Sequence, residues 1–410
     1  MSNDNRSTTI INYLFIFLTI NNTIFVQFVT RFYGAGYALS ALSIAVLLLN
    51  GKRFTNLQLK KPIIFWLFWC LYAFLNYYIH PHNIQPMTVF DLYGKIFIPL
   101  IVMVVVVLEY EQNANRLLWL CFITHAVYML LGYYFDSGIL NRIDEEENQL
   151  GNAYAINSSF TLFYLILLNR TKRINLVWFV ILTVVIMMTL AMTGTRKAFG
   201  AGMVFLVFWL LSLLKLKKVG SWIIVVVFLW VGFWGYNQLM ENTFMGQRME
   251  YLEEQRENLL PPGAPEFLSV FGDRAGHYYY GWFLFLEHPL FGVGAGQAHV
   301  NQDFRTQLYT HTEYIAQLAD QGIVGFLLFA VFYSWIIVNL FRRVLSDKEI
   351  GMCMFGGLAA ILFLSLTAWT WEFPIYFICL GFLIGFCNTT DEQEEGVEDE
   401  EEDEELEIGV

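Results

Sequence analysis

Residues 174–214 read INLVWFVILTVVIMMTLAMTGTRKAFGAGMVFLVFWLLSLL, and Arg196 and Lys197 are the charged residues among them. The hydrocarbon core of a bilayer is about 30 Å thick and needs roughly 20 apolar residues in a helix. A helix also satisfies its backbone hydrogen bonds within its own segment, as lipid requires. The stretch therefore predicts two membrane-spanning helices, at 174–193 and 198–214, joined by a short polar turn.

The composition of the whole chain agrees with this prediction. Of its 410 residues, 57% are hydrophobic, 18% are aromatic and 15% are charged, whereas soluble domains carry about 25% charged residues. A soluble enzyme, a secreted disulfide scaffold and a disordered chain are excluded, because so much apolar surface needs lipid as its solvent. The five cysteines lie in or beside apolar runs without a CxxC pair, which favours a packing role.

Apolar runs of similar length recur along the chain. They predict an all-α integral membrane protein with about 12 transmembrane helices. The predicted spans are 10–30, 35–50, 62–80, 96–109, 117–135, 154–169, 174–193, 198–214, 219–237, 322–341, 351–370 and 373–388.

Lysine and arginine residues decide the predicted orientation, because short cytoplasmic loops are enriched in them. With the N-terminus in the cytoplasm, fifteen of them fall on the inner side and nine on the outer side. Both termini are therefore expected in the cytoplasm. Residues 1–388 are expected to form one polytopic membrane domain, and 389–410 a disordered acidic tail, since 391–407 hold thirteen carboxylates in a chain of net charge −12.

One connection is much longer than the others. Residues 238–308 are predicted to form a long extracytoplasmic loop, and connections of this length are usually functional or disordered. Within it, 277–290 read HYYYGWFLFLEHPL, which is aromatic and amphipathic. Such a segment suits the headgroup zone of a bilayer, so the loop is predicted to contain an amphipathic helix on the outer membrane surface.

The outer cations need an explanation, because the orientation rule disfavours them there. Arg196 and Lys197 follow Thr195 at a predicted helix start, where free N–H groups and two positive charges form an anion-binding site. The equally weighted alternative is that both side chains extend to the outer headgroups. Arg274 precedes the predicted surface helix and is a further candidate, with a local pair to Asp273 as its alternative.

Two further features lie between the surface helix and the next predicted span. Gly292, Gly294 and Gly296 have the spacing of a tight turn, and no βαβ pattern surrounds them that would indicate a dinucleotide site. His311 stands at the outer start of a helical face, where a neutral imidazole takes a proton from a hydroxyl or serves as a hydrogen-bonded interfacial residue. The histidines lack short metal-ligand spacings, so no metal site is expected.

The order of these motifs resembles a known family. TGTRKA lies between two spans, and GDR, an aromatic helix, HPLFGVGAGQ and HTEYIAQLADQGIVG follow in turn. Over residues 190–330 this sequence resembles the O-antigen polymerase and O-antigen ligase family of bacterial polytopic membrane glycosyltransferases.

The resemblance implies a fold like that of the lipid-sugar glycosyltransferases. It implies a glycan donor on undecaprenyl diphosphate, used at the extracytoplasmic face of the bacterial inner membrane, in a metal-independent transfer that inverts the anomeric carbon. By motif match, Arg196 and Arg274 would bind the diphosphate, beside Lys197, and His311 would act on the acceptor hydroxyl. No cofactor is expected, and no nucleic acid partner.

Three functions remain open on the sequence alone. A polymerase, which adds glycan to another lipid-linked glycan, is slightly favoured. A ligase would move finished glycan to a lipid A core or to a protein. A transporter is less favoured, because transporters place charges near the middle of the membrane, whereas the polar residues here collect at the predicted outer face.

Overall fold

The structure is a computed structural model in which the described secondary structure is helical. It describes residues 3–24, 35–51, 53, 61–80, 88–135, 148–193, 195–214, 260, 262–269, 275–298, 312–366 and 373–388. The helices in these ranges are α1 (Asn3–Ile24), α2 (Ala35–Leu49), α3 (Lys61–Ile79), α4 (Val89–Leu92), α5 (Ile98–Phe135), α6 (Asn148–Arg170), α7 (Leu176–Met192), α8 (Arg196–Leu213), α9 (Ala275–Glu287), α10 (Glu313–Ser346), α11 (Lys348–Ser365) and α12 (Pro374–Asn388), with a π-helical turn at Tyr93–Phe97 between α4 and α5.

The predicted all-α class is confirmed for the described residues. Five helical segments are long and apolar enough to cross a membrane, and they correspond to α3, Tyr93–Gly132, α8, α10 and α11. Four shorter apolar helices lie within α1, α2, α7 and α12. The count of twelve spans stays a prediction, and the predicted span at 219–237 lies outside the described residues.

Two of the predicted boundaries coincide with interruptions inside helices. Asn113 has a non-helical backbone (φ −160°, ψ 78°) and divides α5 between the predicted spans at 96–109 and 117–135. Its side-chain oxygen accepts a hydrogen bond from the Arg116 N–H at 3.0 Å, as an N-capping residue does at a new helix start. In α10, Gly322 (φ 64°, ψ −168°) interrupts the helix where the predicted span begins.

The centre of the bundle is α6. From Tyr154 to Leu168 every side chain is buried, and α5, α7, α8 and α11 pack around this helix. A helix that is apolar on all sides is expected in a bundle interior. Glycines bring neighbouring helices close, since a Cβ atom at Gly357 would lie 2.7 Å from the ring of Phe163.

A buried polar cluster connects α1, α2 and α5 at the predicted cytoplasmic end. The Glu109 carboxylate, 1% exposed, accepts hydrogen bonds from Asn12 at 2.7 Å and from Arg53 at 3.0 Å. Asn50 accepts from Arg53 at 2.9 Å and donates to Asn12 at 2.8 Å. Because each charge is paired, removing either partner would leave the other charge buried and uncompensated.

Candidate active site

The turn between α7 and α8 is held by its own threonines. The Thr193 hydroxyl donates to the Leu190 carbonyl at 2.7 Å and accepts from the Thr195 N–H at 3.3 Å. Thr195 is the N-cap of α8 and is buried, yet it makes no side-chain capping hydrogen bond. The side chain of the N-cap therefore satisfies none of the free N–H groups at the start of α8. The first two helical residues are Arg196, which is exposed, and Lys197, which is half-buried.

The start of α10 is buried and polar. Thr312 is its N-cap and also makes no side-chain capping hydrogen bond. Glu313, the first helical residue, is 0% exposed, and its carboxylate accepts a hydrogen bond from Gln317 Nε2 at 2.6 Å. The Trp69 indole of α3 donates to Gln317 Oε1 at 3.2 Å, so the amide that holds the carboxylate is itself oriented. The positive end of the helix dipole favours an anion at this position.

The starts of α8 and α10 meet at the last turns of α11. A Cβ atom at Gly200, one turn after Arg196, would lie 2.8 Å from the ring of Phe363. The hydroxyl of Tyr314 donates to the Leu362 carbonyl at 3.1 Å. Leu362 and Phe363 are adjacent, so the two helix starts lie against the same turn. We call this region, made of the starts of α8 and α10 and the end of α11, the site end.

A helix, α9, covers the segment for which a surface helix was predicted, and it joins the site end. That this helix belongs to an extracytoplasmic loop stays a prediction. The Tyr278 hydroxyl donates to the Leu366 carbonyl, the C-cap of α11, at 2.5 Å. One side of α9 is buried at Ala275 and His277 against the bundle, whereas Trp282 and other large side chains are exposed. Its exposed face suits contact with lipid headgroups, and that location stays a prediction.

The glycine loop after α9 adopts a backbone that favours glycine. Gly292, Gly294 and Gly296 have φ values of 68°, 110° and 72°, in the left-handed region. A Cβ atom at Gly292 would lie 2.3 Å from the carbonyl carbon of Asp320. The absence of a side chain at Gly292 therefore lets the loop backbone lie directly against the backbone of α10.

The loop docks where α10 is interrupted. A Cβ atom at Gly322 would lie 2.4 Å from the backbone of the loop. The N–H groups of Val293 and Gly294 donate to the carbonyls of Ala319 and Asp320 at 3.0 and 2.8 Å. These bonds satisfy carbonyl groups near the interruption, as non-helical backbone inside a membrane bundle requires.

Side chains of α3 and α10 fix the loop from two sides. Asn76 Nδ2 donates to the Phe291 carbonyl at 2.7 Å, and His80 Nε2 lies 2.8 Å from the Gly292 carbonyl oxygen. From α10, Asp320 Oδ1 accepts a hydrogen bond from the Ala298 N–H at 2.6 Å. The loop and the start of α10 thus form one rigid unit beside α3.

The predicted site residues fall into two groups. Arg196 and Lys197 lie at the start of α8, and Gly292, Gly294 and Gly296 shape the loop that fixes α10. Arg274 and His311 lie outside the described residues, directly before α9 and α10 in the sequence, so their roles stay predictions.

Sequence reasoning missed Glu313 and the α3 residues that hold the loop. An acidic residue two positions after His311, in a chain with few charges in its apolar segments, is the signal that points to Glu313. Asn76 and His80 carry no local signal, because their partners lie 215 and 212 residues away.

The fold and the site end define a polytopic α-helical membrane protein with its polar helix starts gathered at one end of the bundle. Residues 179–330 match the family described as O-antigen ligase. The match begins in α7 and ends within α10. It confirms the resemblance to the O-antigen ligase and polymerase family that was predicted over residues 190–330. No curated protein matches the chain.

Proposed function

We propose that the protein polymerises undecaprenyl-diphosphate-linked glycan at the extracytoplasmic face of the bacterial inner membrane. The observation that supports this most directly is the packing of Gly200 of α8 and Tyr314 of α10 against one turn of α11. That packing brings the helix start with two cations near the helix start that follows His311. A donor diphosphate and an acceptor hydroxyl need to meet in such a place.

Arg196, Lys197 and Arg274 bind the donor diphosphate in this proposal. The guanidinium groups make forked hydrogen bonds to phosphate oxygens, and the positive end of the α8 dipole adds to the attraction. A diphosphate held in this way is a good leaving group without a metal ion, because its growing negative charge is met by fixed positive groups.

His311 takes the proton of the acceptor hydroxyl. The acceptor oxygen then bonds to the anomeric carbon from the face opposite the diphosphate, and the bond between that carbon and the phosphate oxygen breaks. The configuration is inverted, the diphosphate leaves with the bonding electrons, and the imidazole holds the proton. The energy of the lipid diphosphate drives the step, so no nucleotide and no cofactor take part.

The rigid unit of loop and α10 supports this chemistry by fixing distances. Hydrogen bonds from Asn76 and Asp320 hold the loop against the interruption at Gly322. Reacting groups that are held in place avoid the entropy cost of being brought together during the reaction.

A ligase is the second candidate function, and the description of the matching family as O-antigen ligase favours it. The same donor site would then serve a lipid A core or a protein as the acceptor. The two functions differ in the acceptor, and no described residue distinguishes between acceptors of these kinds.

The experiment that tests the proposal is an analysis of surface glycans in cells that lack the protein. A polymerase predicts that the ladder of chain lengths disappears while a product with one repeat unit remains. A ligase predicts that glycan disappears from the lipid core while lipid-linked polymer accumulates. Surface and lipid-linked glycans that are both unchanged would contradict the two functions together.

A further inference from the structure

Two buried hydroxyl groups near the starts of α10 and α12 have no hydrogen-bond partner. Thr312 and Tyr376 are each 1% exposed, and within the described part of the chain Thr312 Oγ1 and the Tyr376 hydroxyl are unpartnered. Buried polar groups are nearly always hydrogen-bonded in proteins, because leaving them unpaired destabilises the fold. Such exceptions call for a reason, and a bound ligand is one.

A carboxylate lies beside these hydroxyls. Glu313 follows Thr312 directly, and its helix α10 packs against α12, the helix that carries Tyr376. Ring packing connects α12 to α3: the ring centroids of Phe377 and Trp66 lie 5.1 Å apart, and those of Trp66 and Trp69 lie 4.4 Å apart. Since Trp69 orients the amide that holds Glu313, the starts of α10 and α12 share one set of neighbours.

The other buried carboxylates of the described helices stabilise the fold. Glu109 forms an ion pair with Arg53, and Asp320 accepts the hydrogen bond of Ala298 N–H in the loop. Glu313 differs in its location, as the first residue of a helix at the site end, directly after Thr312, whose hydroxyl is unpartnered.

We propose that Glu313, Thr312 and Tyr376 form a subsite that binds hydroxyl groups of the acceptor sugar, an inference that rests on the proposed glycan transfer. A carboxylate accepts hydrogen bonds from sugar hydroxyls, and the two protein hydroxyls both donate and accept. The subsite holds the acceptor ring beside the start of α10, where His311 takes its proton. Its three residues are binding groups, and none of them forms a covalent bond with the sugar.

The subsite makes an unusual prediction about stability. Tyr376→Phe and Thr312→Val remove hydroxyls that have no partner in the protein, so the full-length protein should melt at the wild-type temperature or higher. Binding of the free repeat-unit glycan, released from the cells' own lipid-linked intermediate, should weaken roughly three- to tenfold in each variant, as expected for one lost hydrogen bond.

Tyr164→Phe is the matched control. The Tyr164 hydroxyl is also buried and unpartnered, and it is not one of the three subsite residues, since its ring packs against His125 and Phe382. This variant should be as stable as Tyr376→Phe and should bind the glycan with wild-type affinity. A purely structural role for Tyr376 would give the opposite result, with a lower melting temperature and unchanged glycan binding.

Glu313→Gln tests the carboxylate, and Arg196→Ala separates the subsite from the donor site. Glu313→Gln should weaken glycan binding by roughly ten- to a hundredfold, because hydrogen bonds to charged groups are stronger. Arg196→Ala should weaken binding of undecaprenyl diphosphate and leave binding of the free glycan unchanged. If Tyr376→Phe and Thr312→Val bind glycan like the wild type, the subsite is refuted. If Arg196→Ala binds undecaprenyl diphosphate like the wild type, the proposed donor site is refuted instead.

Discussion

Arg196 and Glu313 occupy equivalent positions and carry opposite charges. Each is the first residue of a helix, and both helices begin against the end of α11. The arginine is exposed, whereas the glutamate is fully buried and held by Gln317. An exposed cation at a helix start suits an anionic ligand that arrives from outside, and a buried, oriented carboxylate suits a fixed hydrogen-bonding role.

Arg196→Ala should abolish glycan transfer while the protein level stays normal. Loss of one group that stabilises developing charge costs roughly a hundred- to a thousandfold in rate. Arg196→Lys should restore little, because an ammonium group cannot make the forked contact. The measurement is the transfer rate of the purified variants, with Arg173→Ala, an exposed arginine at the far end of α6, as the control. A wild-type transfer rate for Arg196→Ala would show that Arg196 is not part of the donor site.

His311→Ala should also abolish transfer, because the acceptor hydroxyl would lose its base. General-base catalysis contributes about a hundred- to ten-thousandfold in rate. Binding of undecaprenyl diphosphate should be unchanged, which distinguishes this variant from Arg196→Ala. Transfer at the wild-type rate would show that another group accepts the proton.

Gly292→Ala should destabilise the loop and reduce transfer. An alanine at φ 68° is strained, and its Cβ would lie 2.3 Å from the backbone of α10, so a loss on the order of 1–3 kcal/mol is expected. The measurement is the melting temperature, together with the transfer rate. Gly94→Ala is the control, because nothing lies within 4 Å of a Cβ atom there. Equal melting temperatures for the two variants would contradict the described docking.

At the residue scale, the sequence reveals what is local. The turn around Arg196 stands out because long apolar runs flank it on both sides. The glycines at 292, 294 and 296 are visible because no other residue adopts such backbone angles easily. Glu313, Asn76 and the unpartnered Tyr376 hydroxyl could not be assigned, since their roles depend on contacts between helices distant in sequence.

At the scale of secondary-structure elements, the length of the apolar runs predicts the bounds of several helices to within a few residues. The predicted spans at 62–80, 174–193 and 198–214 correspond to Lys61–Ile79, Leu176–Met192 and Arg196–Leu213. The predicted span at 322–341 leaves out the nine residues of α10 before Gly322, although the helical face predicted after His311 covers them. Residues 313–321 of α10 carry polar side chains on one side, and hydrogen bonds that these side chains accept fix the segment to α3 and to the loop.

The start of α4 provides a pH-dependent element outside the membrane spans. The Thr88 hydroxyl donates to the Asp91 carboxylate at 2.6 Å, and the Asp91 N–H donates back to Thr88 Oγ1 at 3.1 Å. The Thr88 hydrogen bond, aided by the charge of Lys95, lowers the pKa of Asp91. A lowered pKa stabilises the folded state above the unfolded value of about 3.9, and this contribution is lost as the pH falls through the folded value.

Asp91→Asn should therefore lower the melting temperature at pH 7, and the difference from the wild type should shrink as the pH falls below about 4. The measurement is a series of thermal unfolding curves between pH 7 and pH 3. A difference that stays constant across this range would contradict the role of the ionised carboxylate.

At the scale of the whole molecule, the two ends of the bundle differ in character. The cluster of Glu109, Arg53, Asn12 and Asn50 is an internally paired structural site. At the site end, by contrast, the starts of α8 and α10 lie against the end of α11, and Arg196 is exposed. This asymmetry fits a protein that works on one face of a membrane.

Deleting residues 391–410 should leave transfer intact. The segment holds thirteen carboxylates between 391 and 407, and a dense block of like charges repels itself and does not contribute to a packed core. The measurement is the glycan pattern of cells that produce the truncated chain at the wild-type level. A pattern like that of cells without the protein would show that the tail is required.

The central claim is that the site end binds a lipid-linked diphosphate and transfers its glycan. The most direct measurement is transfer from undecaprenyl-diphosphate-linked glycan by the purified full-length protein in nanodiscs, in the presence of a metal chelator. The account predicts longer glycan and released undecaprenyl diphosphate with the wild type, and neither product with Arg196→Ala. Absence of both products with the wild type, or equal product with Arg196→Ala, would contradict it.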